Sequence, residues 1–351
     1  MSVKSFGFSK NNDAEAVIIT LKNKSGAAFS VTNYGATLVS LLVPDRNGEF
    51  VDVVCGYDSV EGYEKNWGYL GATVGRVAGR IDKAKFVLNG KEYAVDDNDN
   101  GQCLHGGYNG YDKRLWSYQI LEEKSEVVFY LTSPDGDQGM PGTVYITASY
   151  SLTDDNELKI HYGAFADADT PISIINHAYW NLSGHASGDC LDQTVMINAD
   201  FTNAINEKVC PTGEIVSVEG TAFDFRSPKA IGERIGNTDD ILIKNAGGYD
   251  GNHIINGYTG EMRVVATAFS GKTGISMEVS SDQPGMTFYT SNFVDGYTGG
   301  KGGVTYQKYC GFCMECQHYP NSIGNTHFPS VIIRKGELYS SDSVFKFTVE
   351  K

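Results

Sequence analysis

The chain has 351 residues, a formal net charge of −15 and a 41% hydrophobic share, with 41 Gly against only 9 Pro. Such an acidic balance argues against nucleic acid or an anionic membrane surface as partner, because both are held by basic patches. The hydrophobic share is large enough for an extensive core and argues against disorder.

No basic segment followed by an apolar run opens the chain, and no apolar run approaches membrane-spanning length. Seven unevenly spaced cysteines read as reduced thiols of a cytoplasmic protein. Abundant glycine beside β-branched and aromatic residues predicts many strands joined by tight turns.

In chain order, Met1 to Ala14 reads as an edge strand or loose lead-in. Val17–Leu21, Ala28–Thr32 and Thr37–Val43 follow as short strands separated by Gly- and Asn-containing turns, then Phe50–Cys55 and a helical turn at Ser59–Glu64. Gly71–Ile81 sets Arg76 and Arg80 among small and apolar residues, where closely spaced glycines allow a close backbone approach. The ordinary fate of such an arginine is an ion pair with one of the many carboxylates. Val87–Val95 reads as a hairpin on an Asn-Gly turn.

His105 follows in a glycine-flanked loop. Leu115–Leu121, Val127–Thr132, Thr143–Leu152 and Leu158–Phe165 then alternate with Gly, Pro and Asp turns. Strands at this spacing, with no long helical pattern between them, predict a β-sandwich or barrel.

Two stretches carry chemistry. In Pro171–Leu182, period-2 counting puts His177, Tyr179 and Asn181 on one face, and Asn176 and Trp180 on the other. A titratable ring, amides and flat aromatic surface are the mix a sugar requires, since hydroxyls need paired donors and acceptors while C–H faces pack on rings. A core histidine satisfied by an asparagine is the plainer reading. In Gly311–Ser322 the same counting groups Cys313, Glu315 and Gln317 on one face, opposite Phe312, Met314 and Cys316. Glu315 has no basic residue within several positions to pair with it, so burial there is costly unless the carboxylate is used.

Pro228–Ile235 is a short helix candidate, Asp250 sits in a Gly-Tyr-Asp-Gly run, and Asp282–Gly285 is a turn. Nothing reads as a linker or repeat, so one domain over residues 1–351 is expected. Cys310, Cys313 and Cys316 have cluster-like spacing, but in a strand Cys313 and Cys316 face opposite ways, so no metal is expected.

Taken together, Gly75–Ile81, Leu104–Gly107, Asn176–Leu182, Gly248–Asp250, Gln283–Gly285 and Gly311–Gln317 resemble the aldose 1-epimerase (galactose mutarotase) family. The resemblance implies a large antiparallel β-sandwich holding a small aldose in a cleft, with no cofactor. It further implies Glu315 as general base, His177 as general acid, and Arg80, His105, Asp250 and Gln283 as substrate-binding residues. Two departures stand out: Gly79 where the family usually has Asn, and Trp180 where it has a smaller aromatic.

The chemistry fits those residue types. Anomer interconversion needs one proton taken from the C1 hydroxyl and one given to the ring oxygen, work suited to a carboxylate and an imidazole. Their tips are expected about 5–8 Å apart, each within hydrogen-bond reach of one of those oxygens. Alternatives are a noncatalytic sugar-binding sandwich, a sugar-phosphate epimerase of the same fold, which needs clustered basic residues, and a glycoside hydrolase, which needs a second carboxylate.

Overall fold

Strand Val144–Leu152 shows how this sequence makes sheet: Val144, Ile146, Ala148, Tyr150 and Leu152 are buried, while the residues between them face outward. The same alternation runs through Glu157–Ala166 and, less strictly, Glu126–Ser133. The computed structural model describes residues 1–66 and 68–350. Its framework is a nine-stranded sheet in which Ser117–Leu121, Glu126–Ser133, Val144–Leu152 and Glu157–Ala166 form a meander. Leu338–Val349 joins that meander to Ile275–Ser281, Arg263–Phe269, Thr194–Ile197 and Lys229–Ala230. Every pairing among these strands is antiparallel.

A five-stranded sheet from Ser2–Ser9 to Phe50–Asp52 stands at the N-terminus. A second one orders Pro211–Ser217, Phe201–Ile205, Asp250–Ile254, Gly285–Tyr289 and Cys313–Gln317. One large core joins all three sheets, with Phe29, Tyr150, Trp180, Phe225, Phe288, Met314 and Phe347 among its members. This is the antiparallel β-sandwich that the turn spacing predicts, and the only α-helices among the described residues are Val60–Lys65 and Ile241–Ala246.

The Asn-Gly hairpin forms as Lys85–Leu88 paired with Lys91–Ala94, and the N-terminal residues form an edge strand. Elsewhere the local reading falls short. Pro228–Ile235 is a short strand followed by a single 3-10 turn, Ile231–Glu233. The true helix begins at Ile241, where Asp240 caps the Leu242 N–H and Gly247 ends it in a left-handed conformation. Both signals stand in the sequence.

Pro171–Leu182 is not one continuous strand. Only Thr170–Pro171 and Ile175–Asn176 pair as strands; single backbone bonds, such as Ser173 N–H to the Arg76 carbonyl and Asn181 N–H to the Val53 carbonyl (both 2.9 Å), and side-chain brackets hold the remainder. Asn176 donates to the Gly71 carbonyl (2.8 Å) and accepts from the Ala178 N–H (3.1 Å). Asn181 donates to the Cys310 carbonyl (2.9 Å) and accepts from Gln193 (2.7 Å). These asparagines replace ladder bonds that the irregular backbone cannot make.

Trp180 needs correction. It is not a sugar platform: its side chain lies in the core, 4.9 Å from the Phe345 ring and 5.7 Å from Phe347. Its backbone exchanges hydrogen bonds with Phe312 (2.8 and 2.9 Å). That bridge draws the His177 segment alongside the strand that carries Glu315.

Candidate active site

The second five-stranded sheet supplies the floor of a cavity. Asp250 and Asn252 alternate on Asp250–Ile254, Thr287 and Tyr289 on Gly285–Tyr289, and Glu315 and Gln317 on Cys313–Gln317. Register aligns Asn252 with Thr287 and Thr287 with Glu315. A row of polar side chains therefore crosses three strands on one face, while Met314 and Cys316 enter the main core from the other. His177, Tyr179, Tyr69, Gly79, Arg80 and His105 close the cavity from above, and Ile205, Val209, Pro211 and Pro320 make an apolar rim.

His177 Nε2 lies 3.4 Å from Glu315 Oε1, with both side chains about 95% buried. The expected separation of about 5–8 Å is therefore too wide. It assumed the sugar carbon between the two groups, but two oxygens on one carbon can be reached from the same side. Burial pushes the His177 pKa down to about 4 and, aided by the Asp250 charge, pushes Glu315 well above the usual carboxylate range. Both shifts favour the neutral forms, so burial sets a protonated Glu315 against a neutral His177.

The ring of His177 lies near-parallel to Tyr69 and Tyr179, at 5.9 and 5.1 Å between centroids. Its backbone is fixed by bonds to Ala72 and Gly71 (2.9 and 2.8 Å).

Arg80 donates to Asp99 (2.8 Å) and lies 3.9 Å from Asp250. Burial, only partly offset by Arg80, raises the Asp250 pKa to about 6. His105 Nδ1 accepts the Gly79 N–H (3.2 Å), so its Nε2 is the ring's donor, and burial keeps it neutral by lowering its pKa well below 6.5. Gln317 donates to Thr287 Oγ1 (2.7 Å) and, more distantly, to Glu315 Oε2 (3.4 Å).

The structure thus brings Glu315, His177, Arg80, His105 and Asp250 to one cavity. Gln283 is not among its lining residues, because its amide donates to Asp282 (2.7 Å) and accepts from His318 (3.1 Å). Gln317 is the glutamine at the cavity, and period-2 counting from Glu315 had already set it on that face. Asn252, Tyr289, Tyr69 and Asp99 carried no comparable signal; long-range pairing and loop closure deliver them.

Gly79 is a backbone requirement rather than a missing amide. Its φ is +72°, and a side chain would begin 2.7 Å from Pro320 Cβ. Arg76 forms no ion pair among the described residues, contrary to expectation. It is buried and donates to the Pro141 carbonyl (2.7 Å), Thr170 (2.9 Å) and Ser133 Oγ (2.7 Å).

Donor atoms of His177, Cys313 and Glu315 lie within 4.8 Å of one another. The sulfur meets Nδ1 (3.6 Å) and the carboxylate meets Nε2, so the two ligands address opposite sides of the ring. A single tetrahedral ion, with bonds of about 2.0–2.3 Å, fits neither placement without turning the stacked imidazole. Cys316 belongs to a different core cluster from Cys310 and Cys313, which separates the three cysteines of the spaced motif.

A buried carboxylate–imidazole pair, flanked by neutral donors and one arginine, defines an acid–base enzyme for a small polyhydroxylated molecule. The comparisons narrow this class. The aldose 1-epimerase family model matches residues 17–346. Galactose mutarotase of Bos taurus is 41% identical over 91% of this chain and 90% of its own length, and aldose 1-epimerase of Escherichia coli K12 is 34% identical over 95% of each. A crystal structure of an aldose epimerase homologue from C. elegans superposes with TM-score 0.86 at 31% identity, covering 96% of this chain and 100% of that one. The galactose 1-epimerase of Lactobacillus acidophilus gives 0.85 at 28%, covering 100% and 99%. The chain belongs to the aldose 1-epimerase family.

Proposed function

We infer that the protein is an isomerase that interconverts the α and β anomers of aldoses such as galactose and glucose, with Glu315 and His177 moving the protons. The observation that carries the assignment of these two residues is their 3.4 Å approach inside the cavity. When a sugar enters, its C1 hydroxyl donates to Glu315, and Arg80 adds positive potential nearby. Both favour the carboxylate, so the shared proton moves to His177.

Glu315 then takes the O1 proton, C1–O1 becomes a carbonyl, the C1–O5 bond breaks, and O5 receives the proton from His177 Nε2. Rotation about C1–C2 presents the other carbonyl face, and both transfers reverse on closure. Protons and electrons balance within the pair and the sugar, so the reaction needs no cofactor. Asp250, His105 and Arg80 offer an acceptor and donors to the remaining hydroxyls, while the apolar rim restricts water.

Two features favour catalysis over a noncatalytic sugar-binding sandwich: the paired proton carriers, and a carboxylate kept above its usual pKa by burial. A phosphate-bearing substrate is disfavoured, because Arg80 is the only arginine among the described residues that line the cavity and it already faces two carboxylates.

The whole chain, residues 1–351, is read as one domain. Seven unpaired, buried cysteines support a reducing compartment, the cytoplasm. No helix among the described residues is long and apolar enough to cross a membrane.

The test is polarimetry of freshly dissolved α-D-galactose. The protein should hasten the approach to the equilibrium rotation, and a rate equal to the uncatalysed one refutes the assignment.

A further inference from the structure

Acid–base work at Nε2 sets a condition on the other nitrogen of His177. For the neutral ring to accept a proton at Nε2, the ring's own proton must sit on Nδ1. The groups beside Nδ1 therefore matter. One is the Cys313 sulfur, 3.6 Å away. The other is the carbonyl of His177 itself, whose contact with the ring opposes the burial shift, and covalent geometry lets only Nδ1 reach it. A carbonyl can only accept, whereas a thiol can accept weakly or donate its S–H; with the ring proton required on Nδ1, the sulfur takes the acceptor role. That carbonyl also accepts the Gly71 N–H at 2.8 Å, so its second lone pair and the sulfur are the two acceptors open to Nδ1–H.

Stacking does not supply this orientation. Tyr69 and Tyr179 constrain the plane of the ring, yet a half-turn about Cβ–Cγ preserves that plane. It would set a C–H against the sulfur and withdraw Nε2 from Glu315.

We propose that Cys313 is a positioning residue whose buried sulfur accepts the Nδ1–H of His177, holding the tautomer and ring face that aim Nε2 at Glu315 and the sugar. Cys313 is two residues before Glu315 on the same face of one strand, so the base and the support of the acid are mounted together. Its thiol stays protonated, since burial first and the Glu315 charge second push its pKa well above 9. A neutral sulfur has an advantage over the carboxylate that often supports a histidine. A carboxylate would hold the imidazole charged, whereas sulfur leaves the proton free to move between Nε2 and Glu315.

The inference rests on the reading of His177 as a proton carrier, and the experiment separates the two. His177→Asn is measured first: if it keeps the parent kcat, that reading fails and the inference fails with it. Given an inactive His177→Asn, the protein is labelled with ¹⁵N-histidine, and the ring nitrogens of His177 are read by long-range ¹H–¹⁵N correlation near pH 7. The proton should be found on Nδ1. Cys313→Ala should populate the Nε2–H form and lower kcat by about 2- to 10-fold with KM within twofold. Cys313→Ser, which restores an acceptor, should recover part of both effects. Finding the wild-type proton on Nε2, or an unchanged tautomer and kcat in Cys313→Ala, overturns the proposal. Should Cys313→Ala fold poorly, the wild-type spectrum together with the Cys313→Ser kinetics still decides it.

Discussion

Arg76 and Arg80 are four residues apart in one glycine-rich segment, yet they belong to different kinds of region. Arg76 points into the scaffold, where its guanidinium meets the Pro141 carbonyl, Thr170 and Ser133, and none of it reaches the cavity. Arg80 points into the cavity, where it balances Asp99 and stands near Asp250. Both terminal nitrogens of Arg76 find partners within the scaffold, whereas Arg80 and its neighbours keep donors and acceptors that a ligand can engage. A closed network contributes stability, and an open one lowers stability while making chemistry available. The contrast predicts which substitutions cost activity and which cost folding.

The sharpest break should come at the open pair. Glu315→Gln and His177→Asn each keep size but lose proton transfer, and each should lower kcat by about 10²–10⁴-fold. The melting temperature should hold or rise, because an uncompensated buried ionisable group is removed. Sugar binding, followed by calorimetry or a competition assay, should survive better than turnover. The pH profile should sharpen this. Below a pH of about 4 the pair takes up a second proton and loses its base, so kcat/KM should fall on the acid side near that value. The alkaline limb, where the pair's single proton leaves, should lie well above the ordinary carboxylate range. Parent-rate mutarotation by Glu315→Gln would place the base elsewhere.

The two arginines supply the next comparison. Arg76→Met leaves several buried acceptors without donors and should destabilise the fold by about 3–5 kcal/mol. Arg80→Met should change stability by about 1 kcal/mol or less, while raising KM and lowering kcat together. Paired denaturation and kinetic measurements decide the matter, and equal stability losses in both would erase the distinction. Gly79→Asn should behave as a scaffold change despite lining the cavity. Asparagine tolerates a positive φ better than most residues, but the contact with Pro320 remains, so a loss of about 1–3 kcal/mol is expected. A lower KM at unchanged melting temperature would restore the reading of Gly79 as a missing sugar contact.

How much of this is legible in the sequence follows from the range of each signal. Alternation in Val144–Leu152 and the Asn-Gly turn are local, so the sandwich is readable from them. Period-2 counting also set Cys313, Glu315 and Gln317 together, because that strand is regular. The same counting holds in Pro171–Leu182, where His177 and Tyr179 line the cavity while Ala178, Trp180 and Leu182 enter the core, but it does not disclose that Asn176 and Asn181 brace an irregular backbone. The Gln283 expectation came from a motif; whether an amide is free depends on Asp282 and His318, and its relation to the cavity is a property of the fold. Asp99 reaches Arg80 only because Arg80–Ile81 pairs with Cys103–Leu104, a register no local pattern discloses.

The smallest expected effect sharpens the comparison most, because it sets two similar carboxyls against each other. Burial raises Asp112 and Asp250 alike, each to about 6. Asp250 has Arg80 3.9 Å away and faces the cavity, whereas Asp112 Oδ1 is buried without a hydrogen-bond partner and lies outside it. A raised folded-state pKa means the native protein holds a proton that the unfolded chain has released. Stability is therefore fully present below 3.8 and declines as pH rises through 6. Asp112→Asn removes that decline, since the amide is neutral at every pH. It should stabilise the protein by about 1–3 kcal/mol at pH 8 and make almost no difference at pH 3.5, with mutarotation unchanged. Asp250→Asn should remove its own share of the same pH dependence, but at the cost of sugar affinity. Melting curves of both variants at the two pH values, with KM for galactose, make the test. A pH-independent change in Asp112→Asn would mean that packing, not ionisation, governs that site.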